Sequence, residues 1–268
     1  MRLTILGGSA AGPNPGQGCS GYLVESGQTQ VVLDLGPGTL PELRQHVDFR
    51  AIDGIILSHM HLDHSLDILA LRYALAYNPV APTQRMPLWL PPGGLAFLDR
   101  LRGALSEPTN PEDFFAVFET REYDPEDVLP IGELAFTFAR TVHYVPCWAI
   151  RAANGVDGDL FYTADTGPSA NLSTAARDAY VVVAEGTERG ESREPFEARG
   201  HLTPSEAGRL ARDAGASLLV LAHLWGEDNP FSAVAEAETA FGGEVLLATP
   251  GYRLAWAGED GRAPAHPW

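Results

Sequence analysis

Cysteine is nearly absent: Cys19 and Cys147 are the two thiols in 268 residues. They cannot build a disulfide framework or a four-cysteine metal site, and their scarcity fits a reducing compartment. Basic residues are scarce as well, with 18 Lys and Arg against 35 Asp and Glu and a formal net charge of −17. Nucleic-acid binding draws most of its affinity from cationic contacts to phosphates, and anionic membranes attract polybasic segments, so both partners are disfavoured. No apolar run approaches the ~18 residues that a spanning helix needs. The opening MRLTILGGSAAG carries one Arg, a short apolar stretch and an early Gly pair. It reads as a first strand and turn rather than a secretory segment, so a soluble cytoplasmic protein is expected. Internal repeats and low-complexity tracts are missing too. Gly7-Gly8-Ser9-Ala10-Ala11-Gly12 is no dinucleotide fingerprint and lacks the lysine of a phosphate loop. It reads either as a loop that lets backbone approach a cleft or as an ordinary one.

What is present is globular: 45% hydrophobic and 20% charged residues leave no case for a disordered or fibrous chain. Short aliphatic runs between Gly, Pro and Asp predict strands at Arg2 to Leu6, Gly21 to Glu25, Gln30 to Asp34, Gly54 to Leu57, Leu134 to Arg140, Leu160 to Thr163, Tyr180 to Ala184 and Leu218 to Leu221. A helix is expected from His64 to Tyr77, burying Leu66, Ile68, Leu69, Tyr73 and Tyr77 on one face. Thr203-Pro204 with Glu206 makes a capping-box start for a helix that stops at Gly215, and Asn229-Pro230 starts another that ends near Gly242. The order of elements suggests a mixed-sheet α/β sandwich with helices outside. Residues 1–257 read as a single domain in which 78–130, rich in proline, is an irregular insertion or lid. The stretch 188–200 reads as a mobile loop and 258–268 as a flexible tail.

The eight histidines are concentrated. Ser58-His59-Met60-His61-Leu62-Asp63-His64 follows a strand directly. In an extended segment alternate side chains share a face, so His59, His61 and Asp63 converge, and a helix start swings His64 in from the side. Three further apolar strands run into His143, Asp165 and His223. Strands finishing on one edge of a layered fold deliver their last residues to one cleft. Taken singly, a histidine after a strand is as a rule a packing residue, Asp63 or Ser58 could cap a helix, and Asp165 could serve a turn. Jointly those readings need unrelated accidents at four strand ends. Five His and two Asp exceed what one zinc uses and suit two ions sharing a carboxylate. His46 and His266 are left out of this set.

This pattern resembles the metallo-β-lactamase superfamily, whose His-x-His-x-Asp-His signature stands here as His59, His61, Asp63 and His64. The resemblance covers Met1 to about Trp256 and implies an αββα sandwich of two mixed β-sheets. It implies one metal held by His59, His61 and His143 and another held by Asp63, His64 and His223, with Asp165 bridging and Asp34 supporting the ligands. Two divalent ions are implied, zinc foremost, with Mn, Fe, Co or Ni as alternatives. Gly200-His201-Leu202-Thr203-Pro204-Ser205-Glu206-Ala207 resembles the histidine motif of the ribonuclease Z-like branch, in which the histidine protonates the leaving group. Glu185 either orients His201 or is a plain surface carboxylate. His201, Asp63 and Glu185 form the expected catalytic set. The tRNA-binding arm of that branch is missing, because only Tyr144 to Ala164 lies between His143 and Asp165. The chain therefore resembles the arm-less members that hydrolyse cyclic nucleotides or other small phosphodiesters.

The implied reaction is hydrolysis of a small-molecule phosphodiester by a metal-bridging hydroxide, with His201 as general acid. Transfer RNA and other large nucleic acids are not expected partners, nor is a membrane; a homodimer stays open. The alternatives are a binuclear ester, thioester or lactone hydrolase and a non-catalytic metal- or nucleotide-binding scaffold. Tyr73 and Tyr77 read as core, and Trp225 either walls a pocket or packs.

Overall fold

Several strands lack the alternation of a half-exposed sheet: Gly21–Ser26, Val181–Glu185 and Leu218–Ala222 are buried at every position. Strands covered on both faces read this way, and here each face meets a different layer. Val31 and Leu33 join a core shared by two sheets, while Val32 between them joins a core under helices. Val181 and Val183 make the same division from Val182 and Ala184. The period of two along one strand thus builds three apolar layers. Each fully buried Val, Leu or Ile contributes about 1.5–3 kcal/mol.

The computed structural model describes residues 1–105, 114–189, 194–195 and 198–257. One sheet holds β1 (Arg2–Gly7), β2 (Gly21–Ser26), β3 (Thr29–Leu35), β4 (Gly54–Ile56), β5 (Met86–Leu90), β6 (Phe118–Glu122) and β14 (Arg253–Ala255), in the order β14-β1-β2-β3-β4-β5-β6. The other holds β7 (Leu129–Ile131), β8 (Leu134–Arg140), β9 (Trp148–Ala153), β10 (Leu160–Tyr162), β11 (Val181–Glu185), β12 (Leu218–Ala222) and β13 (Glu244–Leu247), in the order β13-β12-β11-β10-β9-β8-β7. Helices α1 (Thr39–His46), α2 (Leu62–Ser65), α3 (Asp67–Ala76) and α4 (Gly94–Leu105) accompany the first sheet. Helices α5 (Ala170–Ala175), α6 (Pro204–Ala214) and α7 (Pro230–Phe241) accompany the second. This is the expected αββα sandwich of mixed sheets. Pairing is parallel across β3, β4, β5 and β6 and across β10, β11, β12 and β13. Within each parallel set the C-terminal strand ends therefore share an edge.

The α6 expectation holds in detail: Thr203 accepts from the Glu206 backbone N–H, Glu206 accepts from the Thr203 N–H, and Gly215 closes the helix in the left-handed region. Three expectations need correction. Among its described residues the 78–130 stretch supplies helix α4 and strands β5 and β6, and the strands extend the first sheet, so these parts are not irregular. Among the described residues its prolines lie between elements or, like Pro87 and Pro130, inside a strand. The helix expected over His64 to Tyr77 is divided at Leu66 into α2 and α3, and Tyr73 and Tyr77 are 52% and 67% exposed. The buried face is Ile68, Leu71, Arg72 and Leu75, and the tyrosines instead flank the Arg72 guanidinium. Trp225 is also exposed. The expected 258–268 tail with His266, residues 190–193 and 196–197 of the 188–200 loop, and residues 106–113 lie outside the described residues. No helix among the described residues is long and apolar enough to cross a membrane.

Candidate metal centre

The signature segment leaves β4 extended and turns helical at Leu62, with His61 in extended geometry as the residue before α2. His59 and His61 therefore arrive from extended chain, whereas Asp63 and His64 project from the first helical turn. Alternation alone does not bring in Asp63, as the sequence suggested; the helix does. Neither Ser58 nor Asp63 caps this helix, which has no side-chain cap. A side chain at Gly36 would collide with the Asp63 carbonyl, so glycine there lets α2 lie against the end of β3.

Among the described residues four groups of ligand-type atoms lie within 4.8 Å of one another: His59, His61, His143 and Asp165; Asp63, His64, Asp165 and His223; and the smaller sets Asp34, His59 and His64, and Glu185, His201 and His223, and the first two carry the seven residues of the sequence pattern. Asp165 belongs to both. Its Oδ2 faces His59 Nε2 at 3.8 Å and His143 Nε2 at 3.7 Å, while its Oδ1 faces His64 Nε2 at 3.2 Å and His223 Nε2 at 3.5 Å. His61 Nδ1 lies 3.0 Å from His143 Nε2, and Asp63 Oδ2 lies 3.2 Å from His223 Nε2. All seven residues expected from the sequence meet in one cleft. The glycine-rich loop reaches it too, since the Ala11 N–H donates to Asp63 Oδ2 at 3.0 Å.

The chemistry of this donor set fits divalent cations. A histidine offers a lone pair only on the nitrogen that lacks hydrogen, and the surroundings decide which one that is. His64 Nδ1 donates to Asp34 Oδ2 at 2.7 Å, and His143 Nδ1 donates to the Gly200 carbonyl at 2.9 Å. Ser58 gives its one hydroxyl hydrogen to Asp34, so its Oγ accepts from His59 Nδ1 at 2.9 Å. Thr187 gives its hydrogen to the His223 carbonyl and accepts from His223 Nδ1 at 2.6 Å. Four rings thus turn Nε2 into the cleft, the nitrogen that carries the lone pair when the ring is neutral. His59 Nε2 is buried with no hydrogen-bond partner, an orphaned lone pair that a cation would satisfy.

Electrostatics agree. Burial and the neighbouring His64 hold His59 well below the ordinary imidazole range, and burial lowers His61 and His143 as well, so this group is neutral and able to coordinate. Burial would also depress His64, but the charges of Asp165 and Asp34 outweigh it and hold His64 well above the usual range. Burial would raise Asp165 and Asp63, yet the surrounding histidines keep both ionised far below the usual carboxylate value. Cys19 is no rival ligand: burial, with Asp63 and Asp67 nearby, pushes its thiol up to about 12.

His201 stands beside the ligands, its ring 5.1 Å from that of His143 and 5.7 Å from that of His223. Its Nδ1 is 3.0 Å from both oxygens of Glu185. Glu185 is 2% exposed and accepts from the Thr166 N–H, so the surface-carboxylate alternative does not apply. Burial would lower His201, but Glu185 raises it to about 9. Asp34 is fully buried and also accepts from the Ser58 N–H and the Tyr162 hydroxyl, each at 2.7 Å. His46 stays apart, paired with Glu42 on α1. Ser58, Thr187 and Tyr162 are supporting residues that sequence reading missed. Ser58 adjoins the signature, but Thr187 and Tyr162 carry no local mark.

Asp34, Ala164 and His223 have φ of 56°, 51° and 55°, left-handed backbone without glycine. Such residues cost about 1–3 kcal/mol each and persist where surrounding structure over-determines them. Here they sit at or next to ligand positions on the strand ends.

A family model described as "Beta-lactamase superfamily domain" matches residues 29–224. The chain is 29% identical over 260 residues to the "Probable metallo-hydrolase YhfI" of Bacillus subtilis, covering 96% of this chain and 100% of that protein. The crystal structure of YhfI, titled a metallo-beta-lactamase fold protein, aligns at a TM-score of 0.80 with 28% identity, over 94% of this chain and 98% of that one. A ribonuclease Z of Haloarcula marismortui is 26% identical, covering 94% of this chain and 95% of its own. The structure of a diphosphatase from the PhnP family shares the fold at a TM-score of 0.74 and 18% identity, covering 96% of this chain and 98% of its own.

Proposed function

The chain belongs to the β-lactamase superfamily, and on that premise we propose that it is a binuclear metal-dependent hydrolase of small phosphodiesters, cyclic nucleotides included. The observation that carries this reading is the convergence of six side chains of ligand type on a seventh, the shared Asp165 carboxylate, with four imidazoles turned by their partners so that Nε2 faces the cleft. His59, His61 and His143 would hold one divalent cation and Asp63, His64 and His223 the other, with Asp165 shared. Zinc suits the set, and Mn, Fe, Co or Ni are accepted by the same donors. The chemistry that such ions would supply there is Lewis acidity towards the phosphoryl oxygens and a lowering of the pKa of water from 15.7 towards about 7.

The chain's own groups divide the remaining work. Glu185 fixes His201 through Nδ1 and favours its protonated form, which leaves the Nε2 proton for the departing oxygen. One water is consumed: a P–O bond forms to its oxygen while its proton passes to solvent, the ester P–O bond breaks, and the leaving alkoxide takes the His201 proton, which solvent restores. Asp34, Ser58 and Thr187 keep the ligand rings oriented. The net charge of −17 works against large polyanions. Between His143 and Asp165 lies the β9–β10 hairpin and no long arm, which favours a small substrate over tRNA. The reading carries with it a cytoplasmic location, in keeping with two buried free cysteines.

The test is elemental analysis of the purified protein with hydrolysis assays on cyclic mononucleotides, bis(p-nitrophenyl) phosphate, a lactone and precursor tRNA. Two equivalents of metal and turnover of the small diesters are expected. Turnover of the lactone alone would shift the reaction to carbon, and a metal-loaded protein inert on every substrate would leave a scaffold.

A further inference from the structure

Tyr144 follows His143 and is 54% exposed, a large aromatic ring left open at the mouth of the metal cleft. Its centroid lies 5.0 Å from the His143 ring and 5.7 Å from the His201 ring. With the His143 and His201 rings themselves 5.1 Å apart, it stands beside both, the third corner of a triangle with a proposed ligand and the proposed proton donor. The ring does not swing freely. Its hydroxyl donates to Glu194 at 2.7 Å and accepts from the Gly200 N–H at 3.3 Å. The ring lies flush on Gly200, where a Cβ would come within 2.6 Å of it. A half-exposed aromatic pinned at its hydroxyl and along one side is a surface already organised for stacking, and binding it costs little rotamer entropy.

We propose that Tyr144 is a specificity residue, its ring stacking on a planar, uncharged group of the substrate so that diesters bearing a nucleobase or aryl group are preferred to those without one. The inference rests on the phosphodiester reading above and narrows it. Charge at the rim points the same way. Glu194 is bonded to the hydroxyl and the charge of Glu188 also acts on Tyr144, so a further phosphate is repelled there while a neutral ring is not. Recognition at the cleft then divides in two: the cations take the diester and Tyr144 takes the flat group beside it.

The experiment compares adenosine 3′,5′-cyclic monophosphate with ribose 3′,5′-cyclic phosphate, which lacks the base, on metal-loaded wild type, Tyr144→Ala, Tyr144→Phe and Tyr144→Trp. Stacking predicts that Tyr144→Ala raises KM for the adenosine ester roughly five- to a hundredfold and leaves the abasic ester within about twofold. Tyr144→Phe and Tyr144→Trp should keep most of the preference. An equal effect on both esters, or loss in Tyr144→Phe matching that in Tyr144→Ala, would mean that Tyr144 only ties down the Gly200 segment, and the proposal falls. Calorimetry with adenosine 5′-monophosphate and ribose 5-phosphate gives a readout free of turnover. A gap in affinity that closes in Tyr144→Ala supports stacking, and no gap in wild type overturns it. If the protein hydrolyses no diester at all, the functional reading fails, and the calorimetric comparison still decides the role of Tyr144.

Discussion

Asp34 Oδ2 lies 2.7 Å from His64 Nδ1, so a buried carboxylate on β3 decides which nitrogen a histidine on α2 presents to the cleft. Asp34→Asn tests that control at nearly constant volume. An amide nitrogen facing Nδ1 would favour the opposite tautomer, placing hydrogen on Nε2 where a lone pair is needed. Metal affinity at the Asp63, His64 and His223 group should fall about 10- to 100-fold with the fold retained. Competition against a chromophoric chelator measures it, and unchanged affinity would remove Asp34 from this role.

Asp165 touches both groups of ligands, unlike the other six. Asp165→Ala should therefore lower metal content at both sites, to below one equivalent in place of two. Full content by elemental analysis would refute sharing. Chelation of wild type should lower Tm by several degrees without unfolding the chain, because bound ligand adds about 2.7 kcal/mol at a hundred times Kd. The three apolar layers are built of side chains other than the seven of the cleft, so the chelated chain should stay folded.

For His201→Ala, both metals should stay while kcat on a diester with an alkyl leaving group falls about 10²- to 10⁴-fold. A p-nitrophenyl ester leaves without help and should lose far less. Equal losses on the two substrates would dismiss His201 as proton donor.

Glu185 raises His201 to about 9 against an ordinary 6.5. A histidine whose folded value is raised contributes stability present in full below the unfolded value and lost as pH climbs through the folded one. In metal-free protein the advantage of wild type over Glu185→Gln, measured by urea unfolding, should shrink between about pH 6.5 and 9. In the loaded enzyme the alkaline limb of the pH–rate profile should move to lower pH in Glu185→Gln. An unmoved limb would separate Glu185 from proton donation.

The chain's local pattern was enough for much of this. Apolar runs ending in His143, Asp165 and His223 marked three strand ends that carry candidate ligands, because strand periodicity and turn residues act between near neighbours. The Thr203–Glu206 capping box was legible for the same reason. Strands β5 and β6 were not, since proline and mixed residues obscured the pattern and partners elsewhere in the sheet stabilise them. The exposed faces of Tyr73 and Tyr77 were misread because a helical stripe does not say which side meets the sheet.

Composition and spacing by themselves determined the kind of donor atoms, their number, and the strands that carry them. Only the folded chain decided how those donors point. Asp34 and Tyr162 are 128 residues apart, and Thr187 reaches His223 across 36. Left-handed backbone at Asp34, Ala164 and His223 is imposed by packing against residue preference. Imidazole orientation and buried charge depend on neighbours distant in the chain, and no local pattern encodes those distances.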